Sequence, residues 1–158
     1  VGAVLELLDQ MEARGDDVHL MVLDFVNAFY LLPITPQKQR YFVVAYHGLF
    51  MIGNRLAQGL KNGPQLFGGR LAMATRFTQS LVPDDAMRQH TYTEEPALAV
   101  RADEARSITI CATGIMAWLA LGFNLAYAKR QVSKQVAWVG HDVVVDTASR
   151  SVAVAINE

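Results

Sequence analysis

Three carboxylates stand out by position. Asp24 closes the apolar run VHLMVLD at 18–24, and Glu94-Glu95 fall in TYTEEPAL at 91–98, between two short runs that read as strands. An acid at a strand end is ordinarily a cap or turn residue. Acids carried on two rigid strands can do more. They can converge on a pair of divalent cations, which activate an attacking hydroxyl and steady a leaving phosphate oxygen. Oxygen-only ligands suit Mg²⁺, with Mn²⁺ as the alternative. Asp24, Glu94 and Glu95 are therefore the expected catalytic and metal-binding set. His19, His47, His90 and His141 are scattered without ligand spacing, and Cys111 is the only cysteine. A zinc site and an intrachain disulfide are not expected.

Charge is unevenly spread. The net charge is −1, yet from Phe25 to Pro83 there is no Asp or Glu, while Lys38, Arg40, Arg55, Lys61, Arg70 and Arg76 all fall there. One reading is a solvated face with a local bias. The functional reading is a surface that meets phosphates beside a metal site.

The elements that must position these groups can be traced in the chain. Its 158 residues are 52% hydrophobic and 18% charged, which suits a folded unit with a real core and argues against disorder. No run of 18 apolar residues occurs, so no membrane-spanning helix is expected. The start has no basic leader and apolar core, so no signal peptide is expected and an intracellular setting is favoured over secretion. The absence of an initial Met suggests a piece of a longer product.

Helical spacing of Val4, Leu7, Leu8 and Met11 predicts a helix over 3–14, followed by a buried strand over 18–24. Asn27-Ala28-Phe29 opens a tight helical segment that ends before Pro33, and Thr35-Pro36 reads as a helix start. YFVVAY at 41–46 and Leu49 to Ile52 form a hairpin about His47-Gly48. Asn62-Gly63-Pro64 opens a long helix, with Leu66, Met73, Phe77 and Leu81 marking its apolar side. Residues 90–92 and 97–100 flank a turn with the two Glu at its tip, restricted by Pro96. Asp103 or Ser107 caps a helix to about Leu121, with Ile108, Ala112, Ile115 and Leu119 at helical spacing and Gly122 as its stop. Residues 134–145 read as paired strands around Gly140-His141, and the last residues as frayed or truncated. The mixture predicts an α+β fold, an antiparallel sheet of about three to five strands with helices packed on one face.

Five segments, taken in order, resemble the palm core of reverse transcriptases, with a retrotransposon-type flavour. VLDFVNAFYLLPI (22–34) is similar to the first palm motif: an apolar strand, a metal-binding Asp, an Ala and an aromatic, then a Pro. The resemblance implies that Asp24 binds metal, that Phe29 lies under the sugar of the incoming nucleotide, and that Asn27 stands where a second Asp is common. LAQGLKNGPQLFGG (56–69) resembles the second motif, which implies nucleotide and template contacts at Gln58 and Gly59. Tyr92-Thr93-Glu94-Glu95 resembles the third, in which both acids are ordinarily Asp. WLALGFNLAYAK (118–129) resembles the fourth, with Lys129 as its active-site Lys. VAWVGHDV (136–143) is similar to the hairpin that grips the primer, with Trp138 and Gly140 matching. The resemblance covers about residues 3–145 and implies a single partial reverse transcriptase domain without complete fingers or thumb. It implies RNA-directed DNA polymerase ancestry, with template-primer nucleic acid and a deoxynucleotide as partners and no membrane. Lys61, Arg70, Arg76, Trp138 and Gly140 become the expected nucleic-acid contacts.

The Glu pair changes that expectation. Glu keeps the charge of Asp but carries its carboxylate on one more methylene, a displacement of about 1 Å, and misplacement on that scale can cost about 100-fold in rate. Paired ions also need a spacing of roughly 3.5–4 Å. Two readings remain. One is a nucleotidyl transferase with an impaired site. The other is a non-catalytic remnant of a retroelement polymerase that binds nucleic acid or protein. An unrelated α/β domain is the third and blandest alternative.

Overall fold

In the computed structural model, residues 2–9 and 16–157 are described. Helix α1 (Gly2–Asp9) leads to strand β1 (Asp17–Val22), a 3₁₀ turn (Ala28–Leu31) and the short helix α2 (Pro36–Gln39). The hairpin β2 (Val43–Tyr46) and β3 (Leu49–Ile52) precedes the long helix α3 (Gly63–Ser80). A second hairpin follows, β4 (Met87–Tyr92) and β5 (Glu95–Ala102), then helix α4 (Glu104–Ala120). After a 3₁₀ turn (Tyr127–Lys129) come β6 (Gln131–Ser133), β7 (Gln135–Trp138), β8 (His141–Asp146) and β9 (Ser151–Ile156). The helix expected over 3–14 is seen as α1, and residues 10–15, with Met11, lie outside the described part.

The central sheet is antiparallel, in the order β4-β5-β1-β6. It is buried on both faces because its strands alternate two sets of apolar side chains. Met21 with Leu98, Val100 and Ala102 point into one core, where they meet Phe67, Leu71 and Ala74 of α3 and Ile110 and Trp118 of α4. Val18, Leu20, Val22 and Ala99 point the other way, against Val4, Leu7 and Leu8 of α1 and Val136, Val143 and Val145 of the β7-β8-β9 sheet. The fold is thus α+β, an antiparallel sheet with its two long helices on one face. Gly114 sets how closely α4 approaches: a Cβ built there would lie 3.0 Å from Leu98 Cδ2.

The long helices are where expected, but their inward faces are not. Leu66, Met73, Phe77 and Leu81 are exposed, and Phe67, Leu71, Ala74 and Thr78 face the sheet instead. Both sets keep helical spacing. Tertiary packing chose between them, because Phe67 stacks on Phe29 at 5.0 Å between ring centroids and anchors the inward phase. On α4, Ile108, Ala112 and Leu119 likewise point outward. Ile110, Gly114, Ala117 and Trp118 face inward, with Ile115 partly packed against the core. Asp103 caps that helix, accepting from the Arg106 N–H at 2.8 Å. The carboxyl end also departs from expectation. Residues 151–156 are not frayed but pair with β8 along their whole length, Ser151 with Asp146 through Ile156 with His141.

Candidate acidic site and nucleic-acid interface

Strand β1 formally ends at Val22, yet its pairing with β5 continues. The Leu23 N–H donates to the Pro96 carbonyl at 3.0 Å and the Phe25 N–H to the Glu94 carbonyl at 2.9 Å. These two bonds bracket Asp24 and place it beside the β4–β5 tip. The turn itself is shorter than the sequence suggested. Tyr92 pairs with Glu95, so only Thr93 and Glu94 form it, with Thr93 at φ 49°, and Pro96 belongs to the strand. Glu94 is therefore a turn residue, whereas Glu95 is the first residue of β5.

The 3₁₀ turn carrying Lys129 is tied to the same place. The Val26 N–H donates to the Asn124 carbonyl, and the Ala126 N–H to the Asp24 carbonyl, both at 2.8 Å. Lys129 then reaches back, and its Nζ donates to Asp24 Oδ2 in an ion pair. Burial raises the Glu94 carboxyl above its ordinary value, and the negative charges of Asp24 and Glu95 raise it further, opposed by Lys129. The hydrogen bond that Lys129 donates to Asp24 raises its ammonium above the ordinary value, and the negative charges of Asp24, Glu94 and Glu95 add to that. The four groups thus form one electrostatic unit. A further tie comes from the third sheet: Trp138 Nε1 donates to the Glu95 carbonyl at 3.2 Å.

The donor chemistry of this unit suits a hard cation, but its arrangement does not. Among the described residues no group of three His, Cys, Asp or Glu side chains is placed to hold a metal ion. Asp24 spends one oxygen on Lys129. The residues present do not make a ready two-ion centre.

The remaining expected residues are spread around this unit. Phe29 is buried, stacked on Phe67, with its ring edge against Gly63. Asn27 precedes it in left-handed geometry at φ 53°, exposed, its carbonyl accepting from the Tyr30 N–H. Gln58 and Gly59 form an exposed turn ahead of α3, with Gly59 at φ 86°. Among the described residues Gln58 makes no hydrogen bond to the acids. Lys61 is exposed just before α3. The positive block divides. Arg70 folds back so that its guanidinium donates to the Leu121 carbonyl at 3.4 Å and lies over the Phe123 ring. Arg76 instead lines a cleft between α3 and β4 with Thr75, His90 and Thr91. Gly140, at φ 72°, shares the β7–β8 turn with Val139, one residue earlier than the expected Gly140-His141.

Two positioning contacts had no local signal. Gln79 of α3 caps the free edge of β4, donating to the Met87 carbonyl at 2.8 Å and accepting from the Gln89 N–H at 3.1 Å. Trp138 reaches across 43 residues to Glu95.

No protein-family model matches this sequence, and no curated protein matches it significantly. Solved structures do. The foamy viral protease-reverse transcriptase in complex with an RNA/DNA hybrid matches with a TM-score of 0.68 and 18% identity, over 89% of this chain and 18% of that one. The native prototype foamy virus protease-reverse transcriptase matches at 0.65 and 21% identity, over 85% of this chain and 17% of that one. A form of the foamy viral enzyme in complex with double-stranded DNA gives 0.67 and 18%, over 89% of this chain and 23% of that one. The chain therefore has a fold of the reverse-transcriptase palm type. It spans about a fifth of the length of the proteins it matches.

Proposed function

We propose that this chain is a palm module of the reverse-transcriptase kind that holds nucleic acid without extending it, a non-catalytic relative of a retroelement polymerase. The observation that carries this reading is the state of the acidic unit. Backbone bonds put Asp24 beside the Glu94 turn, and the charges of Asp24 and Glu95 act on Glu94, but Asp24 is paired with Lys129 and Glu94 sits in the turn. Support for a nucleic-acid partner comes from neighbours of the same fold that are described with an RNA/DNA hybrid and with double-stranded DNA. The exposed cations Lys38, Arg40, Arg55, Lys61 and Arg76 are the groups that would meet phosphates.

Two measurements test the proposal. Titration of an RNA/DNA hybrid against the chain at several salt concentrations is expected to show weak binding that falls as salt rises, since each neutralised phosphate releases counterions. Affinity indifferent to salt would remove the electrostatic interface. Primer extension with Mg²⁺ or Mn²⁺ and deoxynucleotides is expected to fail for the chain alone. Grafted into a complete fingers–palm–thumb scaffold, E94D/E95D is expected to gain at least about 100-fold over the unmodified graft, the value of one correctly placed group. Efficient extension by the unmodified chain would return the reading to an active RNA-directed DNA polymerase using Asp24, Glu94 and Glu95.

A further inference from the structure

We propose that the cleft between α3 and the free edge of β4 receives an extended acidic peptide, which adds to the sheet as an antiparallel strand. The inference goes beyond the nucleic-acid reading above and does not rest on it.

The backbone pattern of the edge carries it. β4 is the outer strand of the central sheet. Pro96 turns its carbonyl to Leu23, so its partner Thr91 turns its own N–H and carbonyl away from β5. Met87 and Gln89 share that phase. The Gln79 side-chain amide takes the Met87 carbonyl and the Gln89 N–H, as a residue of a further strand would. Among the described residues nothing takes the next groups along the edge, the Gln89 carbonyl and the Thr91 N–H and carbonyl. An antiparallel segment can bond each of them. The cleft beside them holds about 310 Å³, and Gly68 and Ala72 leave its α3 side open. Gln89 also lines it, 8% exposed, with neither amide atom of its side chain hydrogen-bonded. A buried amide without a partner is unfavourable until a polar atom meets it. The charge is complementary to an acidic segment, because neither α3 nor β4 contains an Asp or Glu. Arg70 is folded back onto Leu121, and Arg88 is paired with Glu6 and Asp84. Arg76 lines the cleft, exposed and without an ion pair among the described residues. A side chain opposite Thr91 would stand on the α3 face, where the Thr91 hydroxyl meets that of Thr75 at 3.1 Å. A carboxylate there faces Arg76. Nucleic acid fits this edge poorly, since phosphate oxygens only accept and would meet the Gln89 and Thr91 carbonyls.

The test is fluorescence anisotropy of a labelled hexapeptide that alternates Val and Glu, with amide hydrogen exchange followed at Thr91. The peptide is expected to bind and to slow exchange at Thr91. The same peptide methylated on its backbone nitrogens leaves the protein untouched, and is expected to bind at least about tenfold more weakly because it has lost its donors. A peptide with Lys in place of Glu is expected to lose at least as much. Arg76→Gln is expected to weaken binding of the Glu peptide about threefold to fivefold, a modest change because an exposed cation is screened by solvent. The proposal is overturned if the Glu peptide does not bind, if the methylated or the Lys peptide binds as well, or if Arg76→Gln has no effect. It is also overturned if the RNA/DNA hybrid slows exchange at Thr91 as the peptide does.

Discussion

The β2–β3 and β4–β5 hairpins are built alike and held differently. Each turns on two residues, and each places a non-glycine residue in left-handed geometry: His47 at φ 48° in the first, Thr93 at φ 49° in the second. In β2–β3 every strand residue is exposed, Val43 to Tyr46 and Leu49 to Ile52 alike. Its register rests on the turn, where His47 and Gly48 both have positive φ, the pattern that matches strand twist. In β4–β5 the register is fixed again and again by burial, with Met87, Leu98, Val100 and Ala102 in the core and Gln79 capping the edge. A hairpin that carries chemistry cannot depend on its turn alone. Here the turn is the less favourable of the two, and the core holds it.

The largest effect that should separate the two hairpins comes from truncating an apolar residue in each. Leu98→Ala removes a side chain that is 1% exposed and should cost about 2–5 kcal/mol in urea unfolding. Phe50→Ala, at 80% exposure, should stay within about 0.5 kcal/mol. Equal losses would mean that β2–β3 is covered by something that the exposure of its residues does not reveal.

The turns should respond in the opposite order. Gly48→Ala places a Cβ at φ 77° and should destabilise its hairpin by about 1 kcal/mol. Thr93→Asn replaces a β-branched residue with one that accepts left-handed geometry, and should stabilise by about 0.5 kcal/mol. Amide hydrogen exchange along each pair of strands checks both. A Thr93→Asn protein with faster exchange in β4–β5 would contradict the reading that its turn is held under protest by the core.

The smallest expected difference is in pH. Burial, then the charges of Asp24 and Glu95, lift the Glu94 carboxyl above its ordinary value, so the fold favours its protonated form. Its contribution to stability is fully present below its unfolded value of about 4.3 and is lost as pH rises through the elevated folded value. Urea midpoints should therefore carry a shallow downward component over that window that Glu94→Gln removes. The β2–β3 hairpin has no carboxylate and should show no such component. An unchanged profile in Glu94→Gln would show that neither burial nor the neighbouring acids lift this carboxyl.

What could be read from the chain follows the same division. Local chemistry was legible. His47-Gly48, Pro64 after Gly63, Asp103 and Gly122 each mark a boundary through their own backbone preferences, and the structure keeps all four. The closeness of Asp24 to the Glu94 turn also followed from strand order. Phase was not legible: Leu66, Met73 and Phe77 are as apolar as Phe67, Leu71 and Ala74, and periodicity cannot tell which stripe will meet a sheet. The β9 strand was missed although Val152, Val154 and Ile156 alternate as strand formers, because a chain end was read as frayed and the pairing with β8 that orders it is tertiary. Lys129 was placed near the site by resemblance, but its bond to Asp24 is a tertiary event with no trace in spacing.

The uncovered β2–β3 ribbon has a further consequence, for colloidal behaviour. Leu49, Phe50, Met51 and Ile52 form a stretch of high strand propensity with no charge and no proline, and Val43 to Tyr46 beside it adds no acid or base. Such stretches are templates for cross-strand stacking between molecules. Self-association of this protein is therefore expected to begin at this ribbon, as a loss of monodispersity with rising concentration while the rest of the fold stays intact.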